Sequence, residues 1–101
     1  MELDVRDNQD EQRYELRADA DVLGLAAYRL RPGLIAFTHT EVAEQLEGHG
    51  AGSKLVRFAL DDARARHLAV LPFCPFVQAY IEKHREYADL VPEQQRAQFG
   101  L

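Results

Sequence analysis

Cys74 lies at the end of an apolar run, between Pro72-Phe73 and Pro75, just ahead of a stripe of apolar residues at helical spacing. A helix start favours negative charge, so a thiol placed there is expected to ionise more readily and to act as a nucleophile or as the proton donor to a departing sulfur. A small apolar packing role between two prolines fits the same residue. His39 and Glu41 are two residues apart on an extended run, so they share a face from which either can take a proton, directly or through water. A polar pair stabilising the surface of the sheet fits them as well. Tyr80, read from spacing alone, is one rung of an apolar stripe with its hydroxyl reaching solvent.

The stretch from Val42 to Ser53 holds glycines at alternate positions, Gly48, Gly50 and Gly52, where an extended segment gives way to a helix. The first amides of a helix have no partners within it and point toward a zone of partial positive charge, so a phosphate placed there is held by main chain alone. Glycine suits the approach because it has no Cβ to keep a diphosphate away and because positive φ costs it little. Gly48, His49, Gly50, Ala51, Gly52 and Ser53 form this candidate cradle, with Lys54 and Arg57 as charged auxiliaries or as ordinary solvated side chains. A glycine-rich connection that binds nothing is the alternative.

The elements that position these groups follow from periodicity. Val5 marks a first short strand, and the polar Asp7-Asn8-Gln9-Asp10-Glu11 stretch is a turn. Tyr14 and Leu16 alternate with charged neighbours over Arg13 to Arg17, as a strand with one solvated face does. Turns at Asp19-Ala20-Asp21 and Arg31-Pro32-Gly33 separate strands over Val22 to Arg31 and Leu34 to Val42, which together make an antiparallel meander. Leu55, Val56, Ala59, Leu60 and Ala63 predict a helix from Ser53 to about Arg66. Leu68 to Phe73 suits a short buried strand, parallel to its neighbour because a helix precedes it. Pro75 opens a helix carrying Phe76, Val77, Tyr80 and Ile81, a short helical turn covers Glu86 to Val91, and Glu93 to Leu101 form a polar tail expected to fray.

Known phosphate loops can be separated on these residues. Gly52, Ser53 and Lys54 run in the wrong order for a Walker loop. A dinucleotide fingerprint would need a glycine at Ser53 and an acidic residue ending the next strand, where Phe73-Cys74 stand. Glu47-Gly48-His49-Gly50-Ala51-Gly52 instead matches the acyl-CoA loop of GNAT-type N-acetyltransferases, with Glu47 in place of Gln or Arg. His39-Thr40-Glu41-Val42, Pro72 to Val77, Tyr80 to His84 and Tyr87 to Val91 occur around it in order. Over about Val5 to Val91 the chain resembles the short single-domain GNAT-like family of acetyltransferases, departing from it at Arg85, where proline often follows the histidine.

The resemblance implies an α+β chain with a compact GNAT-like fold, an antiparallel β-meander followed by helix, parallel strand and C-terminal helix, as one domain over residues 1–101 with 93–101 as tail. It further implies that the strands joined by the helical crossover splay apart and that the pantetheine of acetyl-CoA lies in the gap, where Val42 and Ala43 would offer backbone hydrogen bonds. The implied activity moves an acetyl group from acetyl-CoA to a primary amine, on a small molecule or on a protein lysine or N-terminus, with Cys74, Tyr80, His39 and Glu41 as candidates for catalysis. A CoA-binding or protein-interaction module with little or no catalysis is the second reading, because the chain lacks the N-terminal helices that build much of the acceptor site in longer relatives.

Composition narrows the setting. With 101 residues, 47% of them hydrophobic, the chain is long enough to bury roughly two-thirds of its unfolded surface. The lone cysteine excludes an internal disulfide, and with no apolar leader or membrane-length segment in view the cytoplasm is expected. A net charge of −5 argues against nucleic acid as partner. His49 is expected to be exposed and His67 and His84 to sit at helix ends, where a cation is favourable; no spacing with Cys74 suggests a metal. Oligomeric state is not encoded in any of these patterns.

Overall fold

In Arg13–Ala18 the side chains of Tyr14 and Leu16 are fully buried while Arg13 and Arg17 reach the surface, so the period of two in the sequence becomes one wet and one dry face. The structure, a computed structural model, describes residues 2–101, and position 1 of the expected 1–101 domain lies outside it. Four strands follow one another in antiparallel hairpins: β1 (Asp4–Asn8), β2 (Arg13–Ala18), β3 (Asp21–Arg31) and β4 (Leu34–Val42). A short 3-10 turn at Glu44–Leu46 leads into α1 (Ala51–Ala65), which carries the chain back to β5 (Ala69–Pro72), parallel to β4. Then come α2 (Pro75–Lys83) and 3-10 turns at Arg85–Leu90, Glu93–Gln95 and Ala97–Phe99.

One face of α1 explains its position. Leu55, Val56, Ala59, Leu60 and Ala63 are buried, and they join one hydrophobic cluster with Tyr14, Leu16, Ala26, Ile35, Phe37 and Val70 of the sheet. Val77, Tyr80 and Ile81 of α2 complete that cluster. The Arg85–Leu90 turn is tied to α1 by polar contacts: Arg64 donates to both carboxylate oxygens of Asp89 at 2.9 and 3.0 Å, and the Tyr87 hydroxyl donates to Asp61 at 2.6 Å. The other sheet face carries charged pairs. Glu15 is almost wholly covered there, accepting from Arg13, Arg17 and Asn8.

The final segment departs from expectation. Residues 93–101 do not fray: Phe99 and Leu101 pack against the core cluster, the Arg96 side chain donates to Val91 O at 2.9 Å, and Gln78 Nε2 donates to Phe99 O at 2.8 Å. Two apolar residues in a polar stretch are enough to dock it. Smaller shifts occur at element ends. α1 begins at Ala51 rather than Ser53, because Gly50 with φ 75° forms the turn that starts it. β5 begins at Ala69 and ends at Pro72, and β1 extends to Asn8, into the stretch read as a turn.

Two features of the ladder prepare the site. The β4–β5 pairing covers only Leu34–Phe37 against Ala69–Pro72, so β4 runs on for five more residues without that neighbour. The β3–β4 register shifts between Ala27 and Tyr28, which leaves Thr38 unpaired and resets which β4 side chains face α1. Phe37 and then Thr40 and Val42 point to the α1 side.

Candidate functional site

Where β4 parts from β5, a cleft of about 490 Å³ opens toward the start of α1, walled by Thr40 and Val42 on β4, by the Leu46–Ser53 loop, and by Phe76 of α2. The loop is shaped by its own hydrogen bonds. Leu46 is buried and anchors it, His49 N donates to Leu46 O at 3.2 Å, and Gly48 and Gly50 take φ of 81° and 75°, a region other residues adopt only under strain. Lys54 N donates to Gly50 O at 3.0 Å, closing the first helical turn. The amides of Ala51, Gly52 and Ser53 precede it and have no intrahelical acceptor, and no side chain caps α1.

Gly52 is required by packing as well as by open approach. A Cβ on it would stand 2.5 Å from Phe76 Cζ, so the absent side chain is what lets α2 come this close to the helix start. Among the described residues no lysine or arginine lines the cleft, and Glu47 does. The positive character of the cleft is therefore that of its main chain, opposed by one carboxylate.

The expected backbone donors divide. Ala43 N donates to Leu23 O at 2.7 Å, and Ala43 O accepts from Leu46 N at 2.9 Å, so Ala43 is committed to the sheet and the loop. In an antiparallel ladder successive residues aim their amide and carbonyl groups to opposite sides. Val42 and Thr40 therefore direct theirs away from β3, into the split, and Ala43 gives way to Thr40 as the second candidate. His49 is likewise set aside: its amide is engaged, its side chain is exposed, and it does not line the cleft. Lys54 turns elsewhere, its Nζ donating to Leu3 O at 2.8 Å.

Cys74 sits on the other lip of the split. Its amide donates to Phe37 O at 2.9 Å, the residue is only 3% exposed, and Sγ lies 3.2 Å from Thr40 Oγ1, within a hydrogen bond that either group can donate. Tyr80 is not beside it. The tyrosine ring stacks on His84 at 4.2 Å and borders an adjoining groove with Gly50, Ser53, Lys54 and Arg57. Burial raises the Tyr80 hydroxyl above the ordinary tyrosine range, and the nearby Arg57 charge offsets part of that rise.

His39 and Glu41 share a face, as their spacing requires, with Nε2 and Oε2 3.5 Å apart. It is the face opposite Thr40 and Val42, and both side chains are well exposed. Thr40 and Phe76 are the residues sequence reading missed. Alternation along β4 relates Thr40 to Val42, and Phe76 carried only the signal of the apolar stripe of α2. Among the described residues no group of three or more His, Cys, Asp or Glu side chains is placed to hold a metal ion, and no helix is long and apolar enough to cross a membrane.

A mixed sheet whose parallel pair splits beside a glycine-led helix is the arrangement in question, and the family model of GCN5-related N-acetyltransferases matches residues 13–90. The chain belongs to that family. Among solved structures it is similar to a GCN5-like candidate N-acetyltransferase from Staphylococcus aureus, determined by NMR, with a TM-score of 0.69 and 26% identity over 89% of this chain and 88% of that one. No curated protein matches it. The GNAT-like α+β fold expected from the sequence is thus the fold observed, and acetyltransferase is the family's chemistry.

Proposed function

We propose that this GNAT domain binds acetyl-CoA in the cleft at the β4–β5 split and transfers the acetyl group to a primary amine. The observation that carries the proposal is continuity: one cleft runs from the unpartnered amides of Ala51, Gly52 and Ser53 to Thr40, whose hydroxyl touches the Cys74 thiol. The helix start would take the diphosphate, the main chain of Thr40 and Val42 would pair with the pantetheine amides, and the thioester would lie near Thr40 and Cys74.

In the direct route the amine nitrogen bonds to the acetyl carbon, the carbon–sulfur bond breaks, and the sulfur leaves with the bonding pair. His39 or Glu41 first takes a proton from the ammonium so that the neutral amine attacks; Cys74 or Tyr80 supplies the proton that the leaving sulfur takes up and is itself reprotonated by the second proton, shed by the nitrogen as the amide forms. The position of Cys74 favours it over Tyr80, since Tyr80 borders the neighbouring groove. A variant through acetyl-Cys74 needs a base for the thiol, and the thiol's hydrogen-bond partner is a threonine. A lone reduced cysteine in this role suits the cytoplasm.

Calorimetry with acetyl-CoA against free CoA tests the binding half, and acetyl transfer to a panel of amines and peptides tests the catalytic half. Absence of heat with either carrier sinks the proposal. The exposure of His39 and Glu41 on an open sheet face favours one second reading, a CoA-binding module without turnover; heat without product on any acceptor would establish it.

A further inference from the structure

We infer that β1 is the docking edge for a second copy of this chain, paired antiparallel to the first with the two-fold axis at Val5. This edge lies at the far end of the sheet from the β4–β5 split, in the order β1-β2-β3-β4-β5, so the inference stands apart from the acetyl-transfer reading. The hydrogen bond from Tyr28 N to Gln12 O at 2.9 Å extends the β2–β3 register, in which Arg13 stands opposite Ala27, and it fixes which way each main-chain group points. Tyr14 and Leu16 bond toward β3, and Arg13, Glu15 and Arg17 bond toward β1, where their partners are Asn8, Arg6 and Asp4. Val5 and Asp7 therefore aim their amides and carbonyls outward, where no strand among the described residues takes them.

Charge selects both the occupant and the register. Asp4 and Arg6 are exposed on one face of β1, 2.9 Å apart at their charged atoms. Pairing Asp7 with Asp7 of the second copy sets two carboxylates opposite each other, and pairing Val5 with Asp7 sets Arg6 against Arg6. Pairing Val5 with Val5 instead places Asp4 of each copy opposite Arg6 of the other, twice. It also places Leu3 opposite Asp7, so that Lys54, whose Nζ donates to Leu3 O at 2.8 Å, comes beside a second carboxylate. Charges that complement themselves about one axis are what a symmetric pair of identical chains requires. The apolar surface agrees. A groove of about 340 Å³ runs along β1, with Leu3 and Val5 at its strand side and Phe58 at its helix side. Phe58 is 43% exposed and is held edge-on to the buried Tyr14 ring at 6.1 Å. In the pair the two grooves open onto one seam with a Phe58 ring on either side.

Sedimentation velocity on the whole chain at rising protein concentration tests this without any carrier. The parent is expected to pass from monomer to dimer, and added salt should weaken the association. Arg6→Asp and Asp4→Arg each put like charges across the seam at exposed positions, so each alone should weaken self-association about tenfold or more. Mixed in equal amounts, the two variants should recover a dimer of parental affinity, because carboxylates at positions 4 and 6 of one then meet arginines at those positions of the other. A parent that stays monomeric, a dimer indifferent to salt and to both substitutions, or variants that fail to recover on mixing would overturn the inference. Because CoA takes no part in the assay, these outcomes leave the acetyl-transfer reading to its own calorimetric test.

Discussion

Thr40 Oγ1 and Cys74 Sγ meet at 3.2 Å across the split between β4 and the start of α2, joining two strand ends that share no ladder pairing at that level. The contact fixes the thiol beside the proposed thioester position and gives it a hydroxyl rather than an imidazole as neighbour.

A thiol without a base is a poor nucleophile but a usable acid. Cys74→Ser, which replaces the thiol with a far weaker acid, is therefore expected to lower transfer by about a hundredfold or more, the size of a lost general acid, while leaving CoA binding unchanged. Intact-protein mass spectrometry after mixing with acetyl-CoA alone should show no acetyl adduct on Cys74. A stoichiometric adduct that an amine then discharges would establish the covalent route instead.

Gly50 starts α1 at φ 75°, with nothing within 4 Å of where a Cβ would stand. Gly50→Ala should thus cost conformational strain without a clash, about 1 kcal/mol, and weaken CoA binding by disturbing the first amides. Gly52→Ala differs, since its methyl group meets the Phe76 ring and should displace it from the cleft wall. Denaturant titration separates the two: Gly52→Ala combined with Phe76→Leu should recover stability, and Gly50→Ala should gain nothing from that second change.

Glu47 lines a cleft whose wall, among the described residues, carries no basic side chain. Glu47→Gln is expected to tighten CoA binding about two- to fivefold at low salt, the size of one screened charge–charge repulsion at a surface. The gain should disappear near molar salt and should be absent for pantetheine, which carries no phosphate. A gain that persists at high salt would mean the carboxylate does not act through charge.

The Tyr87 hydroxyl is pushed up to about 12, first by burial and then by its hydrogen bond and charge interaction with Asp61. A folded value raised above 10 means the unfolded chain releases this proton first, so the contribution is complete below pH 10 and is lost as pH rises toward 12. Tyr87→Phe should therefore flatten the alkaline fall in stability, by roughly 1–2 kcal/mol between pH 9 and 12. Chemical denaturation across that range measures it, with Tyr14 and Tyr28 common to both proteins.

Much of the fold was legible because local pattern and burial agree. Tyr14 and Leu16 alternate with the charged Arg13, Glu15 and Arg17, and Leu55 to Ala63 repeat at helical spacing, each writing one dry face. The loop was legible for the same reason, since Gly48 and Gly50 adopt the positive φ that glycine makes cheap. What stayed hidden depends on partners distant in sequence. Only the Ala43–Leu23 hydrogen bond decides that Thr40 and Val42, and not Ala43, face the split. Lys54 looked like a phosphate ligand until Leu3 claimed it, and Glu93 to Leu101 looked loose until Gln78 and Arg96 tied it down.

The shortness of the β4–β5 ladder carries a consequence for the empty protein. Main-chain groups of Thr40 and Val42 are left to water in the middle of a sheet, so their amides should exchange with solvent far faster than that of Ala43, one residue along. A bound pantetheine would act as a surrogate strand, suturing the seam and raising the melting temperature with ligand concentration. In that state the carrier would be a structural member of the sheet as well as the source of the acetyl group.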